Sequence, residues 1–296
     1  MFAVCHGNAL YGETIVPAGI QGYIQDISIA SNSSCAIVDN AIACWGNFPE
    51  PSTLSCTPSS LFMWTSNTVY AAALCSSSSS MFTWSLLNST PTLVQSVTYA
   101  TSTPNSLCYI QTNSIVCNGV ATGVDPLYVK KMYGNSHTGC AILLNDTQHC
   151  WGDVATVTLP IQGLATNSSS LCVKYEQGWK CSQGIWSING FTKEEYISAR
   201  DIQLTESVTC AIVKDGYSWC QGSFANENAV SLFNTEDTSN SEKLVLSSTH
   251  VCSLIASKSS FWGWVIFSAF LFFLLIASYV GILHYKHQIK LSHYSL

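Results

Sequence analysis

Cysteine is the residue type with the most chemical potential in this sequence. The 14 cysteines are Cys5, Cys35, Cys44, Cys56, Cys75, Cys108, Cys117, Cys140, Cys150, Cys172, Cys181, Cys210, Cys220 and Cys252. None belongs to a Cys-x-x-Cys pair, which is the usual spacing of a structural zinc site. Thiols in this number persist as disulfides only in an oxidising compartment. The cysteines therefore predict an extracellular or lumenal domain held by disulfides, without a metal site.

Groups that could perform catalysis are few and scattered. Arg200 is the only arginine, so the sequence cannot supply the cluster of arginines with which a sialidase-like propeller grips a carboxylate. A hydrolytic triad needs a serine, a histidine and an acid brought together. We expect His6, His137, His149 and His250 to serve in packing or hydrogen bonding. The sequence thus predicts no catalytic residue, no metal ligand and no cofactor, and we expect the protein not to be an enzyme.

Charge is sparse along the chain. Only 9% of residues are charged, against a usual figure of about 25%, and the net charge is -6. A nucleic-acid binder needs a basic face to neutralise phosphates, so that class of partner is excluded. Because 47% of residues are hydrophobic, the chain also has enough apolar surface to fold, which excludes intrinsic disorder.

An uncharged, apolar segment extends from Phe261 to Leu283. At about 1.5 Å per helical residue, this segment can cross a hydrocarbon core of roughly 30 Å. Lys286 and Lys290 follow it, and the positive-inside rule places such a tail in the cytoplasm. We therefore predict a single-pass protein of a plasma membrane or viral envelope, with residues 1–260 outside.

The outward domain is expected to pass through a secretory compartment and to become a glycoprotein. N-glycosylation sequons begin at Asn32, Asn88, Asn145 and Asn167. Met1–Gly12 lacks the basic start and the apolar core of a signal peptide. We therefore expect either a processed form or a route of export that the sequence does not reveal.

The sequence contains a repeated hairpin pattern. Each copy has a cysteine, a short run of strand-forming residues, a polar turn, a second short run and another cysteine. The copies are SCAIVDNAIACWGN (34–47), LCYIQTNSIVCNGV (107–120), GCAILLNDTQHCWGD (139–153), LCVKYEQGWKCSQG (171–184) and TCAIVKDGYSWCQGS (209–223). Cysteines at this spacing can face each other on neighbouring strands of a tight hairpin. The predicted disulfides are Cys35–Cys44, Cys108–Cys117, Cys140–Cys150, Cys172–Cys181 and Cys210–Cys220.

The two ends of the repeat region complete each other. AVCHGN (3–8) matches the second half of a copy, and HVCSLI (250–255) matches the first half. Together they make one copy, which implies a Cys5–Cys252 disulfide that closes a ring.

A further copy lies at 71–87. Cys75 is assigned to its first-cysteine position, and Thr83 stands where the second cysteine is expected. Cys56 is then the only partner left for Cys75, so this pairing is assigned by elimination.

Seven copies of roughly 36 residues, each with three or four short strands, predict a β-propeller. The predicted fold class is all-β, a seven-bladed β-propeller with disulfide-linked hairpins, followed by one C-terminal transmembrane α-helix. The predicted domains are the propeller at 1–255, a linker at 256–260, the transmembrane helix at 261–283 and a cytoplasmic tail at 284–296.

Cys-Ala-Ile, a turn and Cys-Trp-Gly, as at 35–46 and 140–152, resemble the repeats of the regulator-of-chromosome-condensation superfamily. His137 and His250 match the histidine position of that repeat. The cysteine-bearing variety is most similar to the ectodomain repeats of plant Crinkly-type receptor kinases. The resemblance covers 1–255 and implies a seven-bladed propeller used for binding. Crinkly-type receptors carry a cytoplasmic kinase, which we do not expect after so short a tail.

We expect the domain to act as an extracellular recognition module, receptor-like or adhesion-like. Trp45 and Trp151 recur after the second cysteine and are expected to pack between blades. Abundant Ser, Thr, Asn and Tyr suit an adaptable polar binding face on one rim of the propeller. The expected partners are an extracellular protein, a glycan or a neighbouring membrane protein. Two alternatives stay open: a structural component of a cell-surface coat or viral envelope, and a propeller-based extracellular enzyme.

Overall fold

In the computed structural model the chain consists of two compact units, Met1–Ala256 and Ser257–Leu296. The residues that it describes are 1–20, 24–112, 114–121, 129–134, 139–144, 148–151, 161–166, 171–181, 199–205, 207–213, 216–224, 227–228, 240–256, 272, 276, 278 and 279. The second unit is therefore described only at Phe272, Ile276, Ser278 and Tyr279, which are helical.

The predicted membrane segment, Phe261–Leu283, lies almost wholly outside the described residues, as do 257–260 and the tail. Within the part of the chain that is described, no helix combines the length and the hydropathy needed to cross a bilayer. The transmembrane helix therefore stays a prediction.

The first unit consists of short antiparallel strands. They are β1 (Phe2–Gly7), β2 (Ile24–Ala30), β3 (Ser33–Val38), β4 (Ala41–Gly46), β5 (Pro58–Thr65), β6 (Val69–Cys75), β7 (Ser80–Ser85), β8 (Asn88–Gln95), β9 (Val97–Thr103), β10 (Ser106–Gln111), β11 (Ser114–Cys117), β12 (Val120–Ala121), β13 (Val129–Gly134), β14 (Gly139–Leu143), β15 (Gln148–Trp151), β16 (Gly163–Thr166), β17 (Leu171–Tyr175), β18 (Gly178–Cys181), β19 (Asp201–Leu204), β20 (Val208–Ile212), β21 (Ser218–Phe224), β22 (Glu227–Asn228), β23 (Ser241–Leu246) and β24 (His250–Ile255). A short 3-10 turn occupies Ala18–Ile20.

These strands form seven separate sheets, which we number in chain order. Sheet 1 is β2–β4, sheet 2 is β5–β8, sheet 3 is β9–β12, sheet 4 is β13–β15, sheet 5 is β16–β18, sheet 6 is β19–β22, and sheet 7 joins β1 to β24 and β23. The first strand of each sheet contacts the first strand of the next, and β23 contacts β2. Among the described strands, no ladder of hydrogen bonds joins the sheets into a closed barrel. The fold is therefore all-β and propeller-like, with seven sheets, as predicted.

The cysteine hairpins have the register that their spacing predicts. In β3–β4, Cys35 lies directly opposite Cys44, and the connecting residues Asp39 and Asn40 have φ of 49° and 65°. Two consecutive positive φ values are the signature of a two-residue type I′ turn. In six disulfides the two cysteines are direct partners across neighbouring strands, with Cα atoms 3.9–4.1 Å apart. The seven pairs found are the seven pairs expected.

Sheet 2 departs from the expected alignment. The strand register places Ala72 opposite Thr83, so Ala72 and not Cys75 holds the first-cysteine position. The assignment of Cys75 to that position is therefore wrong by three residues. Cys75 instead ends β6 and bonds Cys56, which precedes β5, with Cα atoms 5.8 Å apart. The disulfide of sheet 2 therefore lies at the end of the sheet, whereas the disulfides of the other sheets lie between paired strands.

Sheet 7 closes the ring with strands from both ends of the first unit. β1 pairs with β24 in antiparallel register, and Cys5 lies opposite Cys252. Side chains of sheets 7 and 1, including Ala3, Ile27 and Leu254, form one buried cluster with Trp45. The predicted mixed terminal sheet is confirmed.

The apolar core lies in the spaces between neighbouring sheets. Small residues allow the sheets to approach: Ala36, Ala141 and Ala211, which follow the first cysteine of their hairpins, are all fully buried. Trp45 packs between sheets 7 and 1, and Trp151 packs against the cluster between sheets 3 and 4. Both tryptophans have the packing role that was expected.

Candidate binding surfaces

The first strands of the sheets share a β-bulge near one end. In five sheets the register of the first strand shifts after its first residue, so that the second residue is the extra residue of a bulge; these second residues are Gln25, Ser59, Thr98, Lys130 and Glu242. A bulge re-aims the side chains beside it. The residue that follows each bulge is Asp26, Ser60, Tyr99, Lys131 and Lys243 respectively. The bulges thus place polar and charged groups together at one end of the first strands.

We call this end the charged rim and define it by Asp26, Lys131, Lys174, Arg200, Asp201 and Lys243. It is the end at which the second and third strands of sheets 1 to 6 are connected. The opposite end, where the first and second strands are connected, has Ser31, Asn32, Ser66, Asn67, Ser248 and Thr249 in its turns. We call it the hydroxyl rim.

Polar bonds at the charged rim join one sheet to the next. Asp26 Oδ2 accepts from the Leu61 amide at 2.9 Å, and Asp26 Oδ1 lies 2.6 Å from Lys243 Nζ. The Lys174 ammonium donates to the Arg200 carbonyl at 2.7 Å, and the Arg200 guanidinium donates to the Ser241 carbonyl. These bonds connect sheets 5, 6, 7, 1 and 2 in succession. The rim is therefore held in one arrangement before any partner arrives.

The electrostatics of the rim follow from its partial burial. Burial raises the pKa of the Asp201 carboxyl, and hydrogen bonds from Gln203 and the Ile202 amide offset part of that rise. Burial lowers the pKa of Lys174, whereas a hydrogen bond with Tyr133 raises the pKa of Lys131. Asp201 also attracts both lysines. The rim therefore carries two cations close to one desolvated carboxyl group.

Aromatic and apolar groups accompany these charges. Lys131 lies 5.0 Å from the centre of the Tyr133 ring, and Lys180 lies 5.4 Å from that of Tyr175. Leu144 is 64% exposed and Tyr217 is 43% exposed, both in connections on this rim. Tyrosine and arginine dominate the energetics of protein interfaces. The rim thus combines the groups that protein partners use.

The hydroxyl rim contains a cleft between sheets 2 and 3. Its volume is about 410 Å³, and no residue lining it is charged. Trp64 and Tyr70 stack in it with ring centres 5.3 Å apart and planes at 15°. Asn88 and Tyr109 also line the cleft. The chemistry of this cleft suits a neutral ligand that offers one apolar face and several hydroxyl groups.

The predicted glycosylation sites lie at different places. Asn32 occupies the turn between β2 and β3, is half-buried and has φ of 56°. Asn88 begins β8 and is exposed. Both belong to the hydroxyl rim. Asn145 and Asn167 lie outside the described residues.

The histidines do not form a reactive site among the described residues. His250 Nε2 lies 2.8 Å from Ser34 Oγ, and Ser34 Oγ donates to the Glu13 carbonyl at 2.9 Å. Ser34 and His250 are both fully buried, so a substrate cannot reach them. Burial lowers the pKa of His250 to about 3. His149 is exposed on β15, and His137 lies outside the described residues. Ser34 and His250 therefore tie sheet 1 to sheet 7.

The charged rim is the feature that sequence reasoning missed. A signal for it exists: a charged residue directly precedes an apolar residue in four first strands, at Asp26-Ile27, Lys131-Met132, Asp201-Ile202 and Lys243-Leu244. That these charges meet at one end of the molecule depends on the register of each first strand with its neighbour, which only the structure shows.

The sequence matches no protein-family model, and no curated protein matches it significantly. Several solved structures, in contrast, are similar to it in fold. The ectodomain of the Physcomitrella patens receptor kinase CR4 superposes with a TM-score of 0.57 and 17% identity, covering 79% of this chain and 70% of that one. The CRINKLY ectodomain of the Arabidopsis thaliana receptor kinase ACR4 superposes with a TM-score of 0.50 and 16% identity, covering 69% of this chain and 80% of that one. The structure of yeast RCC1 bound to Kap60 superposes with a TM-score of 0.62 and 10% identity, covering 87% of this chain and 89% of that one. The resemblance inferred from the cysteine and tryptophan motifs is confirmed in the fold.

Proposed function

We propose that the chain is a single-pass membrane glycoprotein whose outward propeller is a recognition module that binds a protein partner through the charged rim. The observation that carries this proposal is the convergence of Lys131, Asp201, the single arginine and exposed Tyr217 on one end of the sheets. The function is binding alone, without catalysis.

Rigidity supports the assignment to this rim. The side chains of Asp26, Lys174 and Arg200 already bond to neighbouring sheets, so they need not be ordered on binding. Preorganisation of this kind raises affinity by reducing the entropy lost on association. Mixed charge in addition favours a partner of complementary pattern and disfavours others.

Disulfides support the outward placement. All described cysteines are paired, and disulfides persist in extracellular and lumenal compartments. Likeness to two receptor ectodomains is in keeping with this location. The apolar segment Phe261–Leu283 supplies the proposed membrane anchor.

Photo-crosslinking on intact cells tests the proposal. A photoreactive residue replaces Tyr217 on the charged rim of the full chain, and in a control it replaces Leu93, which is exposed on β8. We expect a discrete adduct from position 217 and none from position 93. Lys130→Glu combined with Lys131→Glu should reduce the adduct severalfold by reversing the local charge.

Three outcomes decide between the candidate functions. An adduct with a different protein supports the recognition module. An adduct with a second copy of this chain supports the structural-coat alternative. Equal adducts from both positions, or no effect of the lysine reversals, would exclude the charged rim as the binding surface.

A further inference from the structure

Four residues of the cleft form a single row across sheet 2. Trp64 pairs with Tyr70, Tyr70 with Ser85, and Ser85 with Asn88. Direct partners on neighbouring strands project from the same face of a sheet, and all four residues line the cleft. The row therefore leads from an exposed asparagine, over one small side chain, to a stacked pair of aromatic rings.

The spacing of this row matters because Asn88 begins a sequon, Asn88-Ser89-Thr90. Adjacent strands lie about 4.8 Å apart, so Tyr70 is about 10 Å from Asn88 along the row. Ser85 lies between them and has the smallest side chain of the row, so it leaves the space above it open. Thr90 also lines the cleft.

The outer strand of sheet 2 forms one wall of the cleft, and described residues of sheet 3, among them Leu107 and Tyr109, form the facing wall. Alternate residues of β8 contribute to the cleft, namely Asn88, Thr90, Thr92 and Val94. The outer part of sheet 2 thus presents threonine hydroxyls beside the aromatic pair.

We propose that Asn88 carries an N-linked glycan whose first sugars lie in this cleft, with the apolar face of a pyranose ring against Tyr70. The bond forms between Asn88 Nδ2, which loses a proton, and the anomeric carbon of N-acetylglucosamine. The bond between that carbon and the pyrophosphate of a lipid-linked oligosaccharide donor breaks, and the protonated lipid pyrophosphate leaves. No redox change occurs.

Local hydrogen bonds fix the orientation of the Asn88 side chain in the folded protein. Asn88 Oδ1 accepts a hydrogen bond from the backbone amide of Thr90 at 2.9 Å, and the backbone amide of Asn88 donates to Ser85 Oγ at 3.2 Å. The side-chain oxygen is therefore the engaged atom, and Nδ2, the atom that would carry the sugar, is not used in these bonds. Asn32 differs, because it is half-buried and in left-handed backbone.

Site-resolved deglycosylation of the full chain, produced in cells that perform N-glycosylation, tests this inference. An amidase that converts the glycosylated asparagine to aspartate is applied to native and to unfolded protein, and conversion at Asn88 is followed by mass spectrometry. Because a sugar packed on the Tyr70 ring must leave the cleft before the amidase can reach its linkage, native release should be severalfold slower than release after unfolding.

Variants test the position of the sugar in the cleft separately from its attachment to Asn88. Tyr70→Ala and, independently, Ser85→Leu should abolish the native protection, because one removes the ring and the other fills the space before it. Tyr70→Phe retains the ring and loses only the hydroxyl that bonds Asn67, so protection should persist. Thr90→Ser retains the sequon and should keep the glycan, whereas Asn88→Gln should lose it.

An unmodified Asn88 in the wild-type chain would overturn the inference. A glycan that is released equally fast from native and unfolded protein, or that stays protected in both Tyr70→Ala and Ser85→Leu, would overturn its placement in the cleft. The inference rests on the glycoprotein status proposed above, but none of these results bears on adducts from the charged rim, so the position of the glycan and the binding surface are tested separately.

Discussion

His250 contributes to stability as a neutral ring in the interface between sheets 1 and 7. Its Nδ1 contacts the hydroxyls of Ser247 and Thr249, and its Nε2 contacts Ser34. Burial lowers its pKa from 6.5 to about 3. The unfolded chain therefore binds a proton at a higher pH than the folded chain does. Its contribution is complete above pH 6.5 and is lost as the pH falls toward 3.

We expect the free energy of unfolding to fall by about 2 kcal/mol between pH 7 and pH 5 because of this single group. His250→Gln retains hydrogen-bonding groups but does not titrate in this range, so its stability should depend less on pH by that amount. Denaturant titration under non-reducing conditions at both pH values measures the difference. Equal pH dependence in the two proteins would contradict the assignment.

Ala36 offers a second test at the scale of one residue. It is fully buried where sheet 1 meets sheet 7, so Ala36→Leu overpacks the interface and should destabilise by about 1–3 kcal/mol. Ala41→Leu, at an exposed position of the same sheet, should change stability by less than about 0.5 kcal/mol. Thermal unfolding compares the two variants. Similar losses in both would show that the side chain's size, and not its burial, is responsible.

Asp26, on the bulged first strand β2, makes two kinds of inter-sheet contact, and two variants separate their contributions to stability. Asp26→Ala leaves the Leu61 amide without its partner, which costs about 1–3 kcal/mol. Lys243→Met removes only the ion pair, whose lysine side chain is 38% exposed. Exposed pairs are worth about 0–1 kcal/mol, so Lys243→Met should be the milder change. Chemical denaturation ranks them, and the reverse order would assign the stability to the ion pair.

The hairpins could be predicted from the sequence because each is local. The two cysteines, the turn residues and the alternating runs all lie within one copy, and Asp39-Asn40 already specifies the turn. The charged rim could not be predicted in the same way. Each of its bonds joins residues of different copies, such as Asp26 and Lys243, and the extra bulge residue interrupts the alternation that marks a strand.

The cleft was equally hidden from the sequence. Trp64, Tyr70 and Asn88 were each visible as an aromatic residue or a sequon, but their common row depends on the register of four strands. The misplacement of Cys75 illustrates the same limit, because three residues of register error left the disulfide partner unchanged but altered its place in the sheet.

At the scale of the whole first unit, the ring depends on its terminal sheet. Cys5 and Cys252 are separated by 247 residues, whereas Cys35 and Cys44 are separated by 9. The entropy of loop closure is larger for the longer loop, so replacing Cys5 and Cys252 by serine should cost about 5 kcal/mol, against about 3 kcal/mol for Cys35 and Cys44. Guanidinium titration without reductant measures both. A smaller loss for the terminal pair would mean that sheet 7 holds without its disulfide.

The terminal disulfide can form only late in biosynthesis. The cysteine at position 5 emerges from the ribosome long before its partner at position 252. At about 5–20 residues per second, the nascent chain waits roughly 10–50 s for that partner. Throughout this interval a lone thiol coexists with hairpins that are oxidising beside it, and thiolate attack on those new bonds can scramble them. Maturation of this protein should therefore depend strongly on a disulfide isomerase, and a chain that stalls before its last strand should accumulate with mispaired sulfurs.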